Sequence, residues 1–343
     1  MSNIVVLIGL PGCGKSTYTK SNDLLGGIPI NEYSVHSSDE IRLELGTTAD
    51  KPHAHDQKVF QILHQRIKDD LKNDKSCIYD ATNLSRKKRR AFLQELNRIP
   101  CTKYAVLFME PIDVCKERNS HRKGFARVPD EVYDRMLASF NVPDCVYEGF
   151  DEIYINQPKD SFFLPYDNYR DLDHFSQNNP HHMETLGEHM KQTAAIAKNL
   201  CKEAGCSVEE TAVICEAARW HDIGKVHTKV FHNMKGEGTI DAHYYNHDNV
   251  GAYMYLLKVI KQERFFDDKS LDTQLKIANI INWHMIPHTV WKESERRYQN
   301  DRMLLSADMV KAIDILHEAD KMASIEMNKT VETLALEQEE TER

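Results

Sequence analysis

Gly9-Leu10-Pro11-Gly12-Cys13-Gly14-Lys15-Ser16 follows the apolar run Ile4-Val5-Val6-Leu7-Ile8 and leads into Ser16-Thr17-Tyr18-Thr19-Lys20. A strand, a loop with this glycine spacing and a helix start, in that order, predict a phosphate-binding loop in an α/β domain with a parallel sheet flanked by helices. In such a loop Gly9, Gly12 and Gly14 leave backbone N–H groups facing phosphate oxygens, and the helix N-terminus adds its partial positive charge. Lys15 reaches the β- and γ-phosphates and the Ser16 hydroxyl ligates Mg²⁺. The expected ligand is ATP or another nucleoside triphosphate with Mg²⁺, and Cys13 and Thr17 complete the stretch that holds it.

Working outward, three more segments fit parallel strands separated by helices. Tyr33-Ser34-Val35-His36 runs into Ser37-Ser38-Asp39-Glu40-Ile41-Arg42, Cys77-Ile78-Tyr79-Asp80 runs into Ala81-Thr82-Asn83, and Tyr104 to Met109 is apolar throughout. The carboxyl ends of strands line the ligand crevice of an open α/β sheet, so Asp39 and Asp80 are expected to meet beside the bound phosphates. An alternative role for Asp39 is to cap a helix starting at Glu40, but capping leaves Arg42, one turn further on, unexplained. A last strand, Phe150 to Asn156, closes the domain. Gln157 to Tyr166, with two prolines and no periodicity, reads as a linker. The expected organisation is a first domain over 1–156, a linker over 157–173 and a second domain over 174–343.

Charge is divided unevenly. Residues 1–156 carry 22 Lys and Arg against 22 Asp and Glu, so the net charge of −9 belongs wholly to the remainder. That balance disfavours tight, nonspecific duplex binding. A nucleic-acid end could still be gripped by Arg86-Lys87-Lys88-Arg89-Arg90 or by Lys116, Arg118, Arg122, Lys123 and Arg127. The first cluster reads equally well as a solvated helix face. None of the eight cysteines forms a C-x-x-C pair and no charged-then-apolar leader precedes Ile4, which points to a reducing, cytoplasmic setting. The longest apolar run, Ile4 to Leu10, is too short to cross a bilayer.

With GLPGCGKS, S-S-D-E-I-R, D-A-T-N and R-N-S-H-R-K-G in hand, residues 1–156 resemble the polynucleotide 5′-kinase branch of phosphate-loop kinases. The resemblance implies Asp39 as general base on an acceptor 5′-hydroxyl and Arg42 as a contact to the acceptor's neighbouring phosphate. It also implies Arg118 and Arg122 as lid arginines on the donor phosphates. Phosphoryl transfer needs these parts: positive charge around the equatorial oxygens and a proton acceptor for the hydroxyl. Arg118 and Arg122 are four apart and would share a helix face. Ala81 is an extra residue relative to that family, and D-A-T-N also occurs in small-substrate kinases, which leaves the acceptor's size open.

From Leu186 the pattern turns helical. Thr193–Leu200, Glu209–Trp220, Val250–Glu263, Gln274–Trp283 and Met309–Met327 each place apolar residues three to four apart, predicting an all-α second domain. Onto it fall Glu188-His189, Trp220-His221-Asp222-Ile223-Gly224-Lys225, Asn246-His247-Asp248, Trp283-His284 and Glu318-Ala319-Asp320. This set resembles the HD-superfamily metal-dependent phosphohydrolases, and W-H-D-I-G-K followed by H-Y-Y-N-H-D is similar to the HD domains attached to CCA-adding tRNA nucleotidyltransferases. The resemblance implies that His189, His221, Asp222 and Asp320 hold one ion, with Asp222 bridging, and that His247 and His284 complete a second. Imidazole with carboxylate suits Mn²⁺, Ni²⁺, Co²⁺, Fe²⁺ or Zn²⁺. Two such ions can polarise a phosphoryl oxygen and activate a water. Lys225 is expected to steady the substrate phosphate, or alternatively to complement a helix C-terminus. His182 and His243 either touch substrate or sit beside the site.

Breaks made by attack of a 2′-hydroxyl leave a 5′-hydroxyl and a 2′,3′-cyclic phosphate, ends that a ligase requiring a 5′-phosphate and a 3′-hydroxyl cannot join directly. A 5′-kinase and a phosphoesterase on one chain would heal both. The sequence therefore points to a bifunctional end-healing enzyme acting mainly on RNA, such as broken tRNA, in partnership with an RNA ligase. The alternative is a nucleoside or nucleotide kinase joined to a mononucleotide phosphatase, which would be discriminated by phosphorylation of a free nucleoside. A non-enzymatic binding module with a degenerate HD half would be discriminated by its metal content.

Overall fold

The computed structural model describes residues 1–48, 51, 55–158, 172–180, 183–262 and 268–341, with side chains described as far as Ser324 apart from Asp268. The expected linker segment lies largely outside the described residues, as does His182. The chain divides into two units, Met1–Phe162 and Phe163–Arg343.

The first unit is built on the apolar run that precedes the glycine loop. β1 (Ser2–Ile8) is buried along its whole length, as a strand covered on both faces must be. The loop and α1 (Lys15–Tyr18) follow, then a short antiparallel pair, β2 (Leu24–Leu25) and β3 (Ile28–Pro29). β4 (Ser34–Ser37), α2 (Ser38–Glu44), α3 (Asp56–Lys72), β5 (Cys77–Asp80), α4 (Arg86–Glu95) and β6 (Cys101–Phe108) come next. α5 (Ile112–Ser120), α6 (Asp130–Ala138), α7 (Cys145–Glu148) and β7 (Glu152–Asn156) complete it. The five long-range strands run parallel in the order β4-β5-β1-β6-β7. The chain leaves β1 toward one side of the sheet and later returns to its other side, so the glycine loop lies at a switch point of strand order.

Two local expectations give way to packing. α1 is only four residues long, because Ser21, Asn22 and Asp23 follow and short polar side chains compete with the helix for backbone hydrogen bonds. The basic run 86–90 is neither a solvated face nor a nucleic-acid grip as a whole. Arg86 and Arg89 are buried, and Arg89 makes a two-pronged pair with buried Glu148 of α7, Nε–Oε2 2.7 Å and Nη2–Oε1 2.6 Å. Its third nitrogen donates to the carbonyls of Asn83 and Leu84 at 2.9 and 2.8 Å, so the side chain ties α4 to α7 and to the loop after β5. Only Lys87 and Lys88 of the run are fully exposed.

The second unit is helical: α8 (Leu186–Glu203), α9 (Val208–Trp220), α10 (Lys225–Thr228), α11 (His247–Gln262), α12 (Asp268–Trp283), α13 (Glu295–Leu304) and α14 (Ala307–Thr341). Capping boxes start α8 at Thr185 with Glu188 and α9 at Ser207 with Glu210. An antiparallel hairpin of β8 (Lys229–His232) and β9 (Gly238–Tyr244) between α10 and α11, and an isolated antiparallel bridge between Ser176 and Thr185, depart from an all-helical pattern. Trp283, Tyr253 and Tyr255 are among its fully buried side chains.

Candidate active sites

The first site is a cleft of about 400 Å³ at the carboxyl ends of β1, β4 and β5. Gly12 and Gly14 have φ of 84° and 96°, the left-handed region that favours glycine. A Cβ on Gly12 would also lie 2.5 Å from the Cys115 carbonyl oxygen. Lys15 is curled over its own loop, Nζ donating to the carbonyls of Gly9 at 2.9 Å and Leu10 at 2.8 Å. Ser16 and Thr17 line the same cleft, while Cys13 is buried behind it with Sγ 3.5 Å from Lys15 Nζ.

Ser37, not Asp39, caps α2: its hydroxyl accepts from the Asp39 backbone N–H, and the helix begins at Ser38. Asp39 is thereby released to face the cleft, where Arg42 Nη1 meets one carboxylate oxygen and Arg122 Nη2 the other, each at 3.3 Å. Arg42 also donates to Asp56 at 2.8 Å and lies over the Phe60 ring. Asp80 pairs in register with Ser37 across the sheet, and burial pushes its carboxyl pKa above the ordinary value against the pull of Lys15. Arg118 and Arg122 do not share a helix face. α5 ends at Ser120, so Arg118 turns to the loop, at 3.4 Å from the Gly12 carbonyl, and Arg122 turns to Asp39. Both line the cleft from different directions.

The second site is a buried cluster. His189, His221 and Asp320 offer ligand atoms within 4.8 Å of one another, and so do Asp222, His247 and His284. Asp222 lies between them: Oδ2 is 3.6 Å from His189 Nε2 and 3.4 Å from His221 Nε2, whereas Oδ1 is 3.1 Å from His247 Nε2 and 3.6 Å from His284 Nε2. All four imidazoles turn Nε2 inward, because each Nδ1 is held from behind. The Ala218, Tyr244 and Ile281 carbonyls hold His221, His247 and His284 at 2.7–2.8 Å, and the Glu184 carboxylate stands 3.2 Å from His189 Nδ1. Such outer partners fix the tautomer that leaves a lone pair free for a metal.

The donor set fits a divalent transition metal. Buried His221 Nε2 makes no hydrogen bond although carboxylate oxygens lie 3.4 and 3.5 Å away. Burial works against a charged His221, but Asp222 and Asp320 outweigh it and raise its pKa to about 10. Burial likewise disfavours ionised Asp222 and Asp320, yet His221 and Lys225 at the one and His189 and His221 at the other hold both carboxyls well below the usual range. Without metal, protons supply the positive charge the cluster demands; a cation would displace them.

Lys225 lies in the single four-residue turn of α10, where Nζ is 2.7 Å from Asp222 Oδ2 and 2.9 Å from Gln177 Oε1. His243 stacks on Tyr245, at 5.5 Å and 6° between planes, and is outside both ligand triads. Sequence reasoning missed Glu184, Gln177, His288 and His317. His288, four residues after His284, and His317, three before Asp320, stand at helical spacing from ligand candidates, a signal that could have found them.

A family model described as an AAA domain matches residues 4–143, and one described as an HD domain matches residues 186–319. L-seryl-tRNA(Sec) kinase from Methanococcus maripaludis is 26% identical over 145 residues, 42% of this chain and 54% of that protein. The chain thus spans about half the length of that curated relative. Among solved structures, a candidate kinase from Chloroflexus aurantiacus is 15% identical with a TM-score of 0.36, over 46% of this chain and 88% of that one. A sugar kinase from Janibacter sp. HTCC2649 is 17% identical with a TM-score of 0.34, over 46% and 86%. The chain joins a phosphate-loop, kinase-like domain to an HD domain. No described helix is long and apolar enough to cross a membrane.

Proposed function

We propose that the chain heals broken RNA ends, phosphorylating a 5′-hydroxyl with a nucleoside triphosphate in its first unit and removing a 2′,3′-cyclic, 2′ or 3′ phosphate in its second, so that an RNA ligase can act. The observation that carries this reading is the presence on one chain of a phosphate-loop, kinase-like domain and an HD domain with two His/Asp triads whose imidazoles are buried. In the first, Asp39 accepts the acceptor's proton, Lys15, Arg118 and Arg122 balance charge on the donor phosphates, and Arg42 meets the acceptor's adjacent phosphate. Two divalent transition-metal ions bound in the second would polarise a phosphoryl oxygen and activate water. His189, His221 and Asp320 would hold one, His247 and His284 the other, with Asp222 shared; Lys225, after His221, helps hold Asp222 ionised and stands ready for the substrate phosphate. The relative named for a seryl-tRNA substrate supports an RNA-linked acceptor for this kind of kinase unit.

One observation favours the second reading, a nucleoside kinase joined to a nucleotide phosphatase. Arg42 is already engaged by Asp56 at 2.8 Å, as a site for an uncharged acceptor would allow. An oligoribonucleotide bearing a 5′-hydroxyl and a 2′,3′-cyclic phosphate, incubated with ATP, Mg²⁺ and Mn²⁺, Ni²⁺ or Co²⁺, separates the two. End healing requires both ends to be converted and a free nucleoside to be a much poorer acceptor. Equal or better phosphorylation of the nucleoside would overturn it.

A further inference from the structure

The inner cluster uses one oxygen of Asp320 and leaves the other turned outward. Oδ1 lies 2.9 Å from His189 Nε2 and 3.5 Å from His221 Nε2, whereas Oδ2 lies 3.4 Å from His288 Nε2. His288 Nε2 in turn faces His317 Nδ1 at 3.0 Å. Two imidazole nitrogens this close share either a proton or a cation, and the same arrangement occurs inside the cluster, where His247 and His284 face each other through Nε2 at 3.2 Å. His288 sits in the π-helical turn Pro287–Trp291, just beyond His284, and His317 lies one turn before Asp320 on α14. The stretch 284–288 and α14 therefore each contribute an inner and an outer donor. Extra residues in a helical turn of this kind re-aim a side chain and recur at functional sites.

We propose that His288, His317 and the outer oxygen of Asp320 form a third divalent-metal site, beside the two triads and more open than either. With two imidazoles and one carboxylate oxygen it suits a borderline transition ion such as Zn²⁺, Co²⁺ or Ni²⁺. The His288 side chain is 32% exposed where those of His189 and His221 are 0%, so solvent or a substrate phosphate can complete the coordination. Open to water where the imidazoles of both inner triads are buried, it holds its ion more weakly than the inner positions. The proposal rests on the metal reading of the inner cluster only through the shared Asp320.

The test is the number of Zn²⁺ or Co²⁺ ions bound per chain by the full-length protein, measured by equilibrium dialysis with elemental analysis. His288→Ala and His317→Ala should each bind one ion fewer than wild type and should lose the weakest-binding class. His284→Ala should lose a tight ion and keep the weak one. Wild-type stoichiometry and affinity in both outer variants would overturn the third site. An unchanged tight class in His284→Ala would instead count against the inner reading, so the two failures are distinguishable. Should an alanine variant misfold, anomalous scattering at the zinc edge from wild-type crystals decides: a peak between His288, His317 and Asp320 supports the site, and its absence at saturating Zn²⁺ sinks it.

Discussion

At the residue scale, the proposed chemistry turns on two carboxylates, each of which divides its two oxygens between different partners. Asp39 divides its oxygens between Arg42 and Arg122, which hold it in the cleft without burying it. As general base it should be worth about 10²–10⁴ in rate, so Asp39→Ala is expected to slow 5′-phosphorylation by that factor while phosphoesterase activity persists. Kinase turnover within tenfold of wild type would remove the role. Asp222 divides its oxygens between two histidine pairs. Asp222→Ala should therefore release both inner ions and abolish phosphoester hydrolysis, whereas His284→Ala should release only one. Elemental analysis of the purified variants checks this, and two tightly held ions in Asp222→Ala would contradict the shared position.

At the element scale, close approaches and buried charges decide which helices can meet. A Cβ on Gly224 would lie 2.0 Å from the His247 carbonyl oxygen and 2.6 Å from Gly251 N, which explains the glycine after His221-Asp222. Gly224→Ala must push α11 away from α10 and carry His247 with it. Reduced metal content together with a lower melting temperature is expected, and normal metal content would contradict it. In the first unit, Arg89→Ala leaves Glu148 buried with its two-pronged partner gone. Breaking a buried pair from one side costs about 3–5 kcal/mol, so denaturant unfolding of this unit should shift by that amount. A change below about 1 kcal/mol, the range of exposed pairs, would show that α4 and α7 are not held this way.

At the scale of the whole molecule, the two units each have their own core and their own set of chemical groups. Fragments 1–162 and 163–343 are expected to fold separately, the first keeping kinase activity and the second phosphoesterase activity, each near the full-length rate. Separate assay of the purified fragments checks this. Soluble fragments without activity would mean that the sites depend on each other.

Local pattern settled much of this in the sequence alone. The glycine loop after an apolar run implies a parallel sheet, because strand, left-handed turns and helix start are written within a few residues. Helical periodicity and the His221-Asp222 pair likewise mark a helical, metal-binding second half. Tertiary structure decided what spacing cannot encode. His189 meets Asp320 across 131 residues of chain, and the outward oxygen of Asp320 finds His288, which in turn faces His317, only because α14 packs beside the π turn. Arg89 reads as one more charge in a basic run, yet it is a buried tie to α7. Arg118 and Arg122 part company because α5 ends between them. Covalent neighbours fix local conformation, whereas the partner of a side chain is chosen by which elements must bury their apolar faces together, and that choice is made by the whole fold.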